Sequence, residues 1–327
     1  MTLTRRRASL VRAAPRRALA LVLALGLARA APAQPTAPGP APVAAIAASS
    51  SPPDSAAPRP HPARLPWLVA GSAVGYGTLY TGLATAWYSG ERAPLHWFND
   101  WPEWQQLDKC GHAWGAFHQS RGAVDMLRWA GLPEKKAIWY GSFVGFALLS
   151  PIELLDGYQP AYGASATDLA ANMLGSVGVL AQELAWHDTR LVPKVSFRLT
   201  PFAAQRPNTL GRNLPERLLK DYNGQTYWLC ADLQAFSSKK LPWPRWLQPA
   251  LGYGGTEMVY NDDGRSAAAG LRPYRQYYLS LDVDLRRIPT RSPVLQKVFY
   301  ALSIFHLPAP ALEINSRQGV VGHWLFW

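Results

Sequence analysis

Cysteine is scarce in this sequence: of 327 residues, only Cys110 and Cys230 carry a thiol. Two cysteines cannot form the disulfide framework of a small secreted domain, and they are too few for a zinc site built from cysteine pairs. The sequence leaves open whether these two residues pair with each other. Because Cys110 falls within a predicted helix, we favour two buried free thiols over a bridge.

Specific catalytic motifs are also missing. The sequence contains no His-Glu-x-x-His metal helix, no nucleophile turn of the Gly-x-Ser-x-Gly type and no glycine-rich nucleotide-binding motif. These absences exclude the enzyme classes that short motifs identify. No reaction can be named from the sequence alone.

Acidic residues are outnumbered, with 21 Asp and Glu against 33 Lys and Arg and a formal net charge of +12. Residues 1–33 contain seven arginines and no lysine or acidic residue, so the rest of the chain has a charge of 12 − 7 = +5. This value is too low for a nucleic-acid footprint, and we expect no nucleic-acid partner. It is compatible with a mild attraction to anionic lipid.

Residues 1–33 have the pattern of a signal peptide. An arginine-rich start precedes an apolar run from Ala18 to Ala28, and Ala31-Pro32-Ala33 fits a cleavage site. A retained membrane anchor is the alternative, although the run is short for a span. Residues 34–66 are rich in Pro, Ala and Ser and contain no aromatic residue, so we predict a disordered tether.

Residues 67–190 are predicted to form an apolar four-helix bundle. The first helix, 67–90, has no charge and is long enough to cross a bilayer; a buried helix of a soluble bundle is the alternative. The second helix starts near Trp101, with Asp100 as its N-cap. The third runs over about 133–155, where Pro151 is expected to kink it. The fourth runs from Ser165 to about His187.

Residues 191–327 are predicted to form a small antiparallel β-rich module, which makes the fold class α+β. The runs 247–260 and 271–288 read as a strand pair, and Asn223-Gly224 as a hairpin turn. Four or five strands can be recognised. An oligomeric outer-membrane barrel is an alternative for this part of the chain. Four tryptophans are expected to contact a membrane: Trp243, Trp246, Trp324 and Trp327.

Polar residues interrupt the apolar helices at positions that share faces. Asp108 and His112 are four residues apart on the second helix, and Asp168 and Asn172 are four apart on the fourth. If the helices pack side by side, these groups converge with Glu153 at the end of the third helix. The predicted polar network comprises Asp108, Lys109, His112, Glu153, Asp156, Ser165, Asp168, Asn172 and Glu183.

This network has two interpretations. As a functional site, it would use Asp108, His112, Glu153 and Asp168 in acid–base chemistry, or hold a divalent metal through His112, Asp108 and Glu153. As a structural feature, Ser165 and Asp168 would form a capping box, and Asp156 would take part in the turn that ends the third helix. The structural interpretation is favoured.

The motifs "DKCGHAWGAF" from Asp108, "IELLDGY" from Ile152 and "YGASATDLAANMLG" from Tyr162 resemble domain-of-unknown-function family 2279, the YfiM-like predicted periplasmic lipoproteins, in its long envelope form. A remote similarity to VanZ-like membrane proteins rests on Asp108, Lys109, His112, Glu153, Asp168, Asn172 and Gly175. These resemblances imply a membrane-associated helical bundle but no activity. The chain departs from the shorter family members because it lacks their lipidated cysteine.

We therefore expect an exported, membrane-associated protein of the cell envelope, in the periplasm and at the outer rather than the inner membrane. A structural or assembly role is favoured, with membrane lipid or envelope proteins as partners. The alternative is a metal-assisted hydrolase or transferase that acts on a lipid or cell-wall precursor and uses a divalent metal.

Overall fold

The computed structural model describes residues 63–87, 92–160, 163–239 and 241–327. The predicted signal peptide and most of the predicted tether lie outside the described residues. The helices are α1 (Arg64–Trp87), α2 (Leu107–Trp129), α3 (Glu134–Ser142), α4 (Val144–Asp156), α5 (Ala166–Trp186), α6 (Phe202–Gln205), α7 (Pro207–Leu210), α8 (Leu214–Lys220), α9 (Leu233–Phe236), α10 (Asp263–Ala268) and α11 (Pro293–Leu302). The strands are β1 (Leu191–Phe197), β2 (Gln225–Ala231), β3 (Leu247–Thr256), β4 (Tyr274–Val283), β5 (Ala309–Asn315) and β6 (Gly319–Phe326).

Helix α2 lies at the centre of the helical segment and packs against α3, α4 and α5. Two glycines make this packing close. A Cβ atom at Gly175 of α5 would lie 2.2 Å from the carbonyl oxygen of Ala113, and one at Gly145 of α4 would lie 2.1 Å from that of Ala116. Larger residues would push the helices apart, so Gly175 sets the distance between α2 and α5, and Gly145 sets that between α2 and α4.

Helix α1 lies outside this arrangement. Its described contacts with α2 include hydrogen bonds from Tyr76 Oη to Gln119 Oε1 (3.0 Å) and from Arg64 Nη1 to the carbonyl oxygen of Trp129 (3.1 Å). Trp67 is exposed, and no residue of α1 whose burial is described is fully buried. The alternative of a buried bundle helix is therefore wrong for the described part of α1.

Among the described residues, one helical segment has the length and composition to cross a membrane, and it is Glu134–Asp156 rather than α1. Glycine, serine and threonine make α1 less apolar. The segment Glu134–Asp156 is also not the single helix expected. It divides at Phe143, whose φ and ψ of −95° and 0° are not helical, whereas Pro151 lies inside α4.

The six strands form one antiparallel sheet in the order β1-β2-β3-β4-β5-β6. The expected pair of strands is present as β3 and β4, with Gly252 opposite Tyr278. The structure thus confirms an α+β fold, with more strands than the four or five recognised in the sequence. The division of the chain at residue 190 stays a prediction. It coincides with the start of β1, whose Val192 joins Phe117 and Val179 in one apolar core.

The exposed face of the sheet carries a row of apolar side chains, whereas the buried face holds polar residues beside an apolar cluster. On β4, the polar residues Ser280 and Asp282 are buried, whereas Leu279 and Leu281 are exposed. Leu279 belongs to a cross-strand row of exposed leucines. The row comprises Leu229, Leu251, Leu279 and Leu312, which are 47%, 62%, 50% and 49% exposed. The buried face contains the ion pair of Lys194 with Asp282. Both cysteines are free thiols, as expected.

Candidate functional site

The ends of three helices bring the site residues together. Asp108, Lys109 and His112 lie in the first turns of α2, and Glu153 lies in the last turn of α4. Asp168 and Asn172 follow the start of α5. The start of α5 is fixed by its cap, because Ser165 Oγ accepts a hydrogen bond from the Asp168 backbone N–H at 3.0 Å. The Asp168 side chain does not complete a capping box and turns toward α2 instead.

The imidazole of His112 has a defined orientation. Its Nδ1 lies 3.1 Å from Asn172 Oδ1. An amide oxygen accepts only, so Nδ1 is the donor and the neutral ring presents a lone pair at Nε2. Asn172 itself is fully buried between α5 and α2. The amide thus plays the orienting role that a partner of a metal-binding histidine usually has.

Nε2 of His112 faces three carboxyl groups. It lies 3.7 Å from Glu153 Oε1, 3.8 Å from Asp168 Oδ1 and 3.9 Å from Asp108 Oδ1. These separations are too long for direct hydrogen bonds. The ligand atoms of His112, Asp108 and Asp168 all lie within 4.8 Å of one another, which is wider than the roughly 3.4 Å between ligand atoms of a tetrahedral ion with bonds of about 2.1 Å.

Lys109 supplies the permanent cation of the cluster. Its Nζ lies 2.5 Å from Asp100 Oδ2, 2.6 Å from Asp168 Oδ1 and 3.0 Å from Asp108 Oδ2. Burial alone would lower the pKa of Lys109, but these carboxylates outweigh burial and raise it. The ammonium therefore stays charged at neutral pH.

Two carboxyl groups of the cluster hold their protons unusually strongly. Burial, and then the charges of Asp168 and Asp156, raise the pKa of Glu153 to about 9. Burial and the charge of Asp108 raise the pKa of Asp168 to about 7. The cause is common to both: a low-dielectric interior holds more carboxyl groups than cations.

A metal ion could be held by Asp108, His112 and Asp168, since each offers one ligand atom and these atoms lie within 4.8 Å of one another. Two buried atoms at this point lack a hydrogen-bond partner, Asp168 Oδ1 and Asn172 Nδ2. Asp168 Oδ1 contacts the Lys109 ammonium, but without hydrogen-bond geometry. An imidazole with carboxylates suits divalent ions such as zinc or manganese.

The cluster includes residues that the sequence did not identify. Asp100 accepts hydrogen bonds from Ser165 Oγ and Thr167 Oγ1, both at 2.7 Å, and thus does not act as the expected N-cap of α2. Tyr222 Oη donates to Asp108 from the loop before β2. Helical periodicity cannot detect Tyr222, because it is separated from Asp108 by 114 residues. Its only sequence signal is the adjacent Asn-Gly turn.

Two predicted members lie elsewhere. Glu183 follows Asp168 by 15 residues, which is about 22 Å along a helix. It pairs with Arg128, whose Nη2 lies 2.5 Å from Glu183 Oε2. Asp156 is half-buried at the end of α4 and acts on Glu153 through its charge, but it is not among the groups that face His112 Nε2.

Exposed apolar side chains flank the cluster. Several of these side chains belong to the segment before α2, which contains Asp100 with its hydrogen bonds from Ser165 and Thr167. The others belong to α4 and to the turn after it. Together they are Leu95, Trp97, Phe98, Trp101, Leu154 and Tyr158, each at least 41% exposed. These six side chains, called the apolar rim, belong to the same chain segments as Asp100 and Glu153.

Comparison with known families gives one match. Residues 96–182 match the model of the family described as "Predicted periplasmic lipoprotein (DUF2279)". The expected family resemblance is thereby confirmed over the segment that contains His112 and all three facing carboxyl groups. The match supports export to the periplasmic side of the cell envelope. Neither a curated protein nor a solved structure gives a significant match.

Proposed function

We propose that this protein binds a divalent metal ion in the periplasm through His112, Asp108 and Asp168, with Glu153 beside them. The site then serves hydrolysis or group transfer on a lipid or cell-wall precursor. One observation carries the proposal: an oriented imidazole nitrogen faces three carboxyl oxygens at 3.7–3.9 Å, with no direct hydrogen bond to them.

The charge balance supports a cation. Asp100, Asp108, Asp168 and Glu153 bring four carboxyl groups to a largely buried point, against the single permanent charge of Lys109. Uncompensated buried charge costs several kcal/mol. Either protons or a divalent cation must offset the excess.

The residues have distinct roles in this chemistry. A bound divalent ion supplies Lewis acidity and lowers the pKa of a bound water. In hydrolysis, one water is consumed: its hydroxyl goes to the substrate atom that is attacked, and its remaining proton goes to the leaving group. Glu153 holds its proton up to about pH 9 without metal and would lose it beside a bound cation; its carboxylate would then be close enough to the site to take the proton of the water and return it. Asn172 holds the ring of His112 in position.

The surroundings favour an amphiphilic substrate. The exposed aromatic side chains of Trp97, Phe98 and Trp101 lie next to Asp100, which is itself part of the cluster. Such a rim can bind an apolar chain while a polar head group reaches His112. A lipid-linked precursor has both parts.

Membrane association is part of the proposal, with membrane lipid or envelope proteins as partners at the outer membrane. It is supported by the exposed leucine row of the sheet and by the exposure of Trp246, Trp324 and Trp327. Apolar patches of this kind are typical of interaction or membrane surfaces.

A structural or assembly role is the second candidate, and Lys109 favours it. Its ammonium already contacts three carboxylates, which is the arrangement of a self-contained polar network. In that case the carboxyl group of Glu153 keeps its proton, and no metal binds.

Metal binding to the purified protein distinguishes the two. We expect one Zn²⁺ or Mn²⁺ per chain by calorimetry, and an affinity at least about 100-fold lower in His112→Gln, because an imidazole ligand is lost. His187→Gln is the matched control, since His187 lies by Glu134 in a second acidic group and its change should leave the affinity intact. A folded wild-type protein that binds no divalent ion would overturn the proposal.

A further inference from the structure

Helix α11 has its apolar side turned away from the protein. Ser292 caps it by accepting a hydrogen bond from the Leu295 backbone N–H. Four aliphatic residues span about 100° of the helix circumference. They are Val294, Leu295, Val298 and Leu302, at 71%, 39%, 40% and 44% exposed. On a soluble protein, such a stripe faces the core.

The opposite side of α11 fixes this orientation. Tyr300 is buried, and its hydroxyl donates to Asp125 Oδ2 at 2.8 Å. The guanidinium of Arg121 lies over the Tyr300 ring, 4.8 Å from its centre. Just past the helix, Trp114 Nε1 donates to the carbonyl oxygen of Ile304 at 3.2 Å. The helix is therefore docked on α2 by its polar side and cannot turn its stripe inward.

The charged residues in the stretch of sequence that contains α11 have one sign. From Leu285 to Leu312 the chain contains four basic residues and no acidic one. Arg286 and Arg287 are engaged by aspartates, whereas Arg291 and Lys297 are exposed. Basic residues beside an apolar stripe complement an anionic lipid surface. A two-fold contact between copies would instead bring these like charges together.

We propose that α11 lies in the headgroup region of an anionic phospholipid surface, with its four aliphatic side chains inserted between the lipids. The inference rests on the proposed membrane association and is independent of the metal site proposed at His112. The inference assigns the membrane contact to α11 and the preferred lipid charge as negative.

The test compares Val298→Asp with Gln296→Asp in co-sedimentation with two kinds of vesicle. One is phosphatidylcholine alone, and the other is phosphatidylcholine mixed with phosphatidylglycerol. Both changes add one negative charge to the same exposed helix, but only Val298 belongs to the stripe. We expect Val298→Asp to bind at least about tenfold more weakly than Gln296→Asp, because inserting one valine side chain is worth about this factor. Lys297→Glu should lose only the preference for vesicles that contain phosphatidylglycerol.

The outcomes separate the two proposals. Equal binding of the two aspartate variants, with the wild type still bound, would overturn the role of α11 and leave membrane association standing. Failure of the wild type to bind either vesicle would overturn both. A lipid-free dimer that Val298→Asp dissociates, seen by analytical ultracentrifugation, would assign the stripe to self-association and contradict the inference. His112→Gln should bind vesicles as the wild type does.

Discussion

Two acidic clusters lie on the same pair of helices, α2 and α5, and they differ in how cationic side chains contact their carboxyl groups. In the cluster of Arg128, the guanidinium contacts Glu134 and Glu183, each at 2.5 Å, and its hydrogen bonds hold the pKa of Glu134 below the usual value. In the cluster of His112, the pKa values of Glu153 and Asp168 are raised. The residue types are nearly the same in both.

The difference lies in how the cation meets the carboxylates. The planar guanidinium of Arg128 donates parallel hydrogen bonds to both of its carboxylate partners. Around His112, the Lys109 ammonium contacts three carboxylates. The Nε2 atom of His112 remains 3.7 Å from the nearest carboxyl oxygen. The cluster of Arg128 is therefore a hydrogen-bonded ion pair. In the cluster of His112, an imidazole nitrogen faces carboxyl oxygens without a hydrogen bond to them, as a metal ligand would.

The largest effect on stability should come from breaking the ion pair of Arg128 with Glu183. Arg128→Met leaves the carboxylate of Glu183 buried without a partner, and we expect a loss of about 3–5 kcal/mol in the free energy of unfolding. Urea denaturation measures it. The loss should be the same with and without divalent metal. A loss that metal restores would contradict the assignment of this cluster as purely structural.

The second effect concerns the orientation of His112. Asn172→Ala removes the hydrogen-bond acceptor for the Nδ1–H of His112 but replaces none of the proposed metal ligands. We therefore expect the metal affinity to fall by about 10- to 100-fold. Calorimetric titration with Zn²⁺ measures the change. Gln182→Ala on the same helix is the control, because Gln182 bonds to the Leu191 region and not to the site. Unchanged affinity in Asn172→Ala would show that the amide does not position a ligand.

The third effect is on the pH dependence of the metal-free protein, and its sign is opposite in the two clusters. Glu153 keeps its proton in the folded state up to about pH 9, while the unfolded chain loses it near 4.5. Stability therefore falls as pH rises between these values, by at most about 1.4 kcal/mol per pH unit. Glu153→Gln should flatten this slope in thermal unfolding measured from pH 5 to pH 8.

Glu134 should behave in the reverse way. Its pKa is lowered by Arg128, so its stabilisation is present above the unfolded pKa and is lost as pH falls through the folded value. Glu134→Gln should thus be less stable than the wild type at neutral pH, and the difference should shrink in acid. A shared sign for Glu134→Gln and Glu153→Gln would contradict the distinction between the clusters.

Local periodicity was sufficient for the side chains that surround His112. A spacing of four residues places Asp108 beside His112 and Asp168 beside Asn172, and the helix contacts bring both pairs together with Glu153. The same reasoning misassigned Glu183, because sharing a helix face says nothing about distance along the axis.

Long-range features were beyond the sequence. Tyr222 reaches Asp108 only because the turn before β2 folds back onto α2, and α2 and α4 meet closely only because Gly145 lets them. Alternation in β4 predicted a strand but not which face is buried. The polar residues of that strand face the ion pair of Lys194, so its leucines face outward.

Anomalous X-ray diffraction from crystals grown with Zn²⁺ or Mn²⁺ tests the central claim most directly. The account predicts one strong peak about 2.0–2.3 Å from His112 Nε2 and from oxygens of Asp108 and Asp168. A peak beside Glu134, Glu183 and His187, with none at His112 under saturating metal, would contradict it.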